Sequence, residues 1–268
     1  MQLCKSTLEI TEDYRVLKEM GYCESQVGEV DQALKHYQQA LNLCPLEDKQ
    51  EQASINHYLG MLKANRGEIE EAIALYQQSL AIYEQIGNVQ TKATTLHCLG
   101  MLKANSGEIE EAIVLYQQSL ALNEQIGNVQ TKTATLRCLG VLKANSGEIE
   151  EAIALYQQSL AITEQIGDVQ TKAATLHNLG SLKADRGEIE EAIALYQQSL
   201  VIKEKISNVQ GKAMTLWCLG HIAEQQGNYN QALDYLQPAL EILQRIQSPD
   251  AERLGQVVAR VEDLIRNS

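Results

Sequence analysis

Phenylalanine is absent from this chain of 268 residues, tryptophan occurs once, and there are only 3 prolines. Few prolines leave long stretches free to run as helix, and an apolar stock of Leu, Ile, Ala and Tyr favours helices over strands. No segment approaches the roughly 18 uninterrupted apolar residues of a membrane span, so no membrane role is expected. The opening residues "MQLCKSTLEITED" lack the apolar stretch of a secretory signal, which makes the cytoplasm the expected location. Basic residues are also scarce, 22 against 35 acidic ones, for a net charge of −13. A phosphate backbone demands a positive face, which excludes nucleic acid as a partner. CxxC and HxxxH pairs are missing, the neighbours His97 and Cys98 point about 100° apart on a helix, and no metal is expected. Cys98, Cys138 and Cys218 recur at one phase of a repeat, so on stacked helices they lie about 8–10 Å apart or more, beyond disulfide reach. Neither a nucleophile–base grouping nor a glycine-rich phosphate loop stands out, so no catalytic residue and no cofactor is expected.

What the chain does have is repetition. "LKANSGEIEEAI" stands at Leu102 and again, letter for letter, at Leu142. LKANRGEIEEAI at Leu62 and LKADRGEIEEAI at Leu182 keep the spacing, while CESQVGEVDQAL at Cys23 and IAEQQGNYNQAL at Ile222 are looser versions. Six units account for 11–247, divided at about 11–47, 48–87, 88–127, 128–167, 168–207 and 208–247, with 248–268 left over. Each GEIEE copy carries three glutamates, and the four copies together supply nearly all of the acidic excess. At the start of a helix those carboxylates sit at the positive end of its dipole, a solvated supporting edge rather than a site for a basic partner.

A single copy reads as two helices. Asn88 is an N-cap after Gly87, and "VQTKATTLHCLGMLKANS" runs as a first helix with Leu96, Leu99 and Leu102 inward. Gly100 lies in the same stripe, and a glycine inside a helix needs a reason, here a crossing too close for a β-carbon. Gly107 breaks the chain before a longer second helix whose Ile109, Ala112, Ile113, Tyr116 and Leu120 share one face. Leu115, Leu122 and Ile126 widen that apolar surface, so the helix touches more than one neighbour. A pair with two apolar flanks is buried only by stacking copies, the logic of a solenoid. In "DAERLGQVVARVEDLIRNS", after Ser248 and Pro249, Leu254, Val257, Val258, Val261 and Leu264 fall on one side, as in a capping helix over the last exposed face.

Leu99 and Gly100, then Gly107, Ile109, Ala112, Tyr116 and Ser119 resemble the tetratricopeptide repeat signature. The same frame recurs at Gly60, Gly67, Ala72 and Tyr76, at Gly140, Gly147, Ala152 and Tyr156, and at Gly180, Gly187, Ala192 and Tyr196. Gly21, Gly28, Ala33, Tyr37, Ala40 and Pro45 carry it in the first copy, and Gly220, Gly227, Tyr229, Ala232 and Ala239 in the last. The period of 40 exceeds the usual 34 and resembles kinesin light chains, Pins-type spindle-orientation adaptors and bacterial, notably cyanobacterial, arrays. Lys63, Lys103, Lys143 and Lys183 stand where that family commonly has tyrosine, their stems packing while the ammonium reaches water. In the last copy Leu236 holds the aromatic place, with Tyr235 one residue early.

The resemblance implies an all-α solenoid, a right-handed superhelix whose concave face, lined by the first helices, holds a peptide or helical segment of a partner. Carried over position by position, that groove comprises His57, Met61, Asn65, His97, Met101, Asn105, Arg137, Val141, Asn145, His177, Asp185, Trp217 and His221, with Tyr22 and Ser181 among its neighbours. Two ladders run through it. Asn65, Asn105 and Asn145, ending at Asp185, could pair with the backbone of an extended ligand, or serve the helix ends locally. His57, His97, Arg137 and His177, ending at Trp217, are either a carboxylate-attracting row, stronger below about pH 6.5, or a solvated row copied by duplication. Trp217 is either an anchor in the groove or a core residue. The leading expectation is an adaptor binding a protein or peptide. The alternatives are a regulatory arm of a larger signalling protein, and a spacer that associates with copies of itself.

Overall fold

The computed structural model describes residues 13–267, so the expected start at residue 11 and the reading of residues 1–12 as free of a signal lie outside it. The described residues form 13 helices and no strand, an all-α fold. In chain order they are α1 Tyr14–Gln26, α2 Val30–Leu43, α3 Lys49–Asn65, α4 Ile69–Ile86, α5 Val89–Asn105, α6 Ile109–Ile126, α7 Val129–Asn145, α8 Ile149–Ile166, α9 Val169–Asp185, α10 Ile189–Lys205, α11 Val209–Gln225, α12 Tyr229–Arg245 and α13 Asp250–Arg266. They group into two compact units that meet in the chain inside α7, residues 13–138 and 139–267. No described helix is long and apolar enough to cross a membrane.

The turns explain the regularity. Gly107 takes φ 81°, a left-handed conformation that glycine adopts without a β-carbon penalty. Its N–H bonds to the Ala104 carbonyl at 3.1 Å, and that of Glu108 to Lys103 at 2.9 Å, which closes α5. Across the same turn the Lys103 ammonium reaches the Glu108 and Glu111 carboxylates at 2.5 and 2.9 Å. Lys63 with Glu68 and Glu71, Lys143 with Glu148 and Glu151, and Lys183 with Glu188 and Glu191 repeat this clamp. The ammonium at the tyrosine position of the family reaches the surface and there ties the two helices of a pair. Such solvent-screened pairs each contribute little to stability.

In the first unit Ala72 and Tyr76 of α4 pack with Leu99 and Leu102 of α5, so the second helix of one pair shares a core with the first helix of the next. The same arrangement joins Ala152 and Tyr156 to Leu179 and Leu182 in the second unit. A β-carbon on Gly100 would lie 3.0 Å from the Tyr116 ring, and one on Gly140 2.6 Å from Tyr156, which is the close crossing that the glycines imply. The signature's small residue also has a bond: Ser79, Ser119 and Ser199 donate to the carbonyls of Ala53, Ala93 and Ala173 at 2.9, 2.8 and 2.7 Å. At the end of the chain α13 buries Leu254, Val258 and Val261 against Leu236, Ala239 and Leu243 of α12, while Leu264 stays partly exposed.

Ala112 has no exposed surface, whereas Glu110 is exposed and unpaired among the described residues. Ala112→Leu is expected to overpack the pair at a cost of about 1–3 kcal/mol, and Glu110→Gln to cost a few tenths. Equal thermal midpoints for the two variants would refute this placement of α6.

Candidate binding surface on the first helices

The first helix of each pair carries three stripes with different fates. Leu96, Leu99 and Leu102 in α5, and their counterparts Leu176, Leu179 and Leu182 in α9, go into the core because leucine spacing follows the helix. One step around the cylinder lies the histidine stripe. The Nδ1 atoms of His57, His97 and His177 meet the Oγ1 atoms of Thr95, Thr135 and Thr215 on the next first helix at 2.9, 2.9 and 3.1 Å. Each threonine hydroxyl already donates to a carbonyl four residues back, at 2.9, 2.7 and 3.0 Å, so the imidazole Nδ1–H is the donor. The rings rest on Tyr76, Tyr116 and Tyr196, with centroids 5.5, 5.5 and 5.3 Å apart. Burial pushes all three imidazoles down to about 4, with Arg137 adding to the effect on His97 and Lys203 to that on His177. Both readings of these histidines, a carboxylate-attracting row or a solvated one, are thus corrected: they are neutral connectors between successive copies. Arg137, half-buried in the same ladder, directs a guanidinium nitrogen at Cys138 Sγ, 3.6 Å away.

For Trp217 the packing favours the core reading over the groove anchor. It packs on the terminal core with α13, and the Arg253 guanidinium lies 4.8 Å from the ring centroid. The capping helix, rather than an open groove, takes that aromatic face.

The third stripe remains available. In the first unit Asn65 and Asn105 close α3 and α5, exposed, one turn after Met61 and Met101, of which Met101 is 43% exposed. In the second unit Asn145 and Asp185 close α7 and α9, with Val141 half-buried, while His221 is exposed on α11. The side chains of Asn65, Asn105 and Asn145 have no intramolecular hydrogen-bond partner among the described residues, so the helix ends do not use them. Tyr58, half-buried beside this stripe, stacks on Tyr37 at 5.5 Å and meets Tyr22 edge-on at 5.9 Å. Sequence reasoning missed it, although an aromatic replaces cysteine there relative to Cys98 and Cys138. In the second unit a depression of about 140 Å³ opens among Val141, Asn145, Tyr156, Asn178, Ser181 and Asp185.

A variable position at the back of the pairs is also buried: Tyr83, Asn123, Thr163, Lys203 and Leu243 are all within 5% exposure. Lys203 donates to Thr215 Oγ1 at 2.8 Å and has no carboxylate partner among the described residues; burial drives its ammonium down to about 8. An ammonium disfavoured in the folded state costs stability below pH 8, and the cost fades as pH rises from 8 toward the ordinary 10.5. Lys203→Met is therefore expected to stabilise by about 1–3 kcal/mol at pH 7. The gain should shrink by pH 10; an undiminished gain there would show that the charge is not its source.

The recurring frame of turn glycine, buried alanine and packed tyrosine now has its physical basis, and comparison with known sequences decides what it is. Tetratricopeptide repeat models match residues 13–85, 51–125 and 130–205, and a second model of that repeat matches 213–250. The chain belongs to the tetratricopeptide repeat family. No curated protein matches this tetratricopeptide repeat chain in sequence. Solved structures share its fold. A signal-transduction ATPase with numerous domains and a tetratricopeptide repeat sensor, from Pyrococcus horikoshii, superposes over 94% of this chain and 39% of its own at 17% identity, TM-score 0.78. A Rap protein complexed with competence and sporulation factor covers 95% of this chain and 76% of its own at 15% identity, TM-score 0.67. A Podosopora anserina protein with nearly identical repeats of the kinesin light chain kind covers 72% and 96% at 22% identity, TM-score 0.59.

Proposed function

We propose that this tetratricopeptide repeat protein is a non-catalytic cytoplasmic adaptor whose first helices hold an extended or helical segment of a partner protein. The observation that supports it is the third stripe: Asn65, Asn105 and Asn145 offer exposed amides, each a donor and an acceptor, that no internal group claims. Amides of this kind can bond a backbone whatever its side chains, while Met61, Met101 and Val141 beside them offer apolar contact. The complex of the Rap protein with competence and sporulation factor shows that a related fold can carry a bound factor. Crosslinking in cells, followed by capture, tests the reading. Replacing Asn65, Asn105, Asn145 and Asp185 together by alanine should remove the captured partner, and an unchanged set of crosslinks would overturn it.

The likeness to the sensor-bearing ATPase favours a second reading, in which the repeats act as the regulatory arm of a signalling ATPase. A captured partner carrying an ATPase module, with hydrolysis changed by the repeats, would support it over a free-standing adaptor.

A further inference from the structure

The copies are nearly identical, so the places where one departs from the others are informative. Comparing 168–207 with the two copies before it, α9 keeps Leu176, Leu179, Gly180 and Leu182, the residues that pack. It changes Cys98 and Cys138 to Asn178, Met101 and Val141 to Ser181, and Asn105 and Asn145 to Asp185. Positions 178, 181 and 185 are spaced i, i+3, i+7, a single helical stripe, on which the first two become polar and the third exchanges an amide for a carboxylate. That stripe forms one wall of the depression of about 140 Å³ in the second unit, whose remaining lining includes Val141, Asn145, Tyr156 and Leu182. This is well below the several hundred Å³ of a cofactor or drug-sized site and suits one side chain.

Three polar side chains at this place are unspent. Asn145, Asn178 and Asp185 have no side-chain partner among the described residues. The nearby cations are already committed: Lys183 to Glu188 and Glu191, and Arg186 to Glu150 and Glu188. Asp185 is therefore an uncompensated, exposed carboxylate beside an apolar floor and two free amides.

We propose that this depression is a subsite for one lysine or arginine side chain of the partner segment, its aliphatic stem over Val141 and Leu182 and its charge against Asp185. The proposal rests on the groove reading above and adds to it the chemistry of the bound segment. Asn145 and Asn178 accept the remaining N–H donors of the cation or bond the segment's backbone.

The test uses the full chain and positional-scanning libraries of acetylated, amidated ten-residue peptides, each with one fixed residue. Libraries fixed as Lys or Arg should be retained about 3–10-fold better than those fixed as Ala or Glu, and less so as salt is raised. Asp185→Asn installs the residue found at Asn65, Asn105 and Asn145, so folding is not at issue; it should abolish the basic preference while leaving retention of the other libraries. Asp185→Lys should shift the preference to Glu or Asp. Retention without a basic preference, or a preference untouched by Asp185→Asn, overturns this subsite but spares the groove reading. No retention of any library overturns both.

Discussion

Lowering the pH from 7 to 5 is expected to depress the thermal midpoint of this protein, and the depression is expected to shrink markedly in the His57→Asn, His97→Asn, His177→Asn variant. The three imidazoles sit at about 4 in the folded chain against an ordinary 6.5. As pH falls through 6.5 the unfolded chain takes up protons that the folded chain refuses, so stability is lost progressively between 6.5 and 4. A displacement of that size is worth up to about 3 kcal/mol per residue. The groups facing them oppose protonation or are indifferent: Thr95, Tyr58 and Tyr76 at His57, Thr135, Tyr116 and Arg137 at His97, and Thr215, Tyr196 and Lys203 at His177. Asparagine keeps a donor near the place of Nδ1 and cannot titrate. The window from 7 to 5 lies above the range in which ordinary carboxylates dominate. Parallel pH dependence in the wild type and the triple variant would show that the histidines are not buried as the structure has them.

Tyr116→Ala is expected to cost about 3–5 kcal/mol, the range for deleting a large buried aromatic side chain. The ring is 2% exposed and fills the space left by the missing β-carbon of Gly100. In a repeat array each pair leans on its neighbours, so the loss should spread first into α5 and α6, and amide hydrogen exchange should report faster opening there than in α11 and α12. Tyr116→Leu should cost clearly less, because Leu236 occupies the same place against Gly220 in the last copy. If Tyr116→Ala left exchange in α5 unchanged, the tyrosine would not be the wedge between the helices.

Much of this could be read from the letters. Gly87 and Gly107 mark helix ends because only the left-handed region closes those turns, and Asn88 caps α5 by accepting from the Thr91 N–H at 3.2 Å. Gly100 with Tyr116 was legible as a pair because a glycine in a helix asks for a bulky neighbour. The last copy, with leucine in the aromatic place, forms α12 nonetheless, since that leucine fills the ring's space and Pro238 is accommodated within the helix. The histidines were misplaced because a helical stripe adjacent to the core has the same periodicity whether it faces water or the next copy. Only the threonine 38 residues along, on a neighbouring helix, shows which it is. The ion pairs of Lys103 were not legible for a related reason: its partners Glu108 and Glu111 lie beyond a turn whose geometry brings them back.

Periodicity, turn glycines and the recurring small and aromatic positions determine by themselves that this chain is an all-α array of paired helices, since those signals are local and each copy restates them. Which stripe of each first helix is spent between copies and which is left to solvent is decided by stacking, a relation between residues about forty apart. The histidines, Trp217 and Lys203 are consumed there, while the side chains of Asn65, Asn105, Asn145 and Asp185 are left exposed, with no intramolecular partner among the described residues.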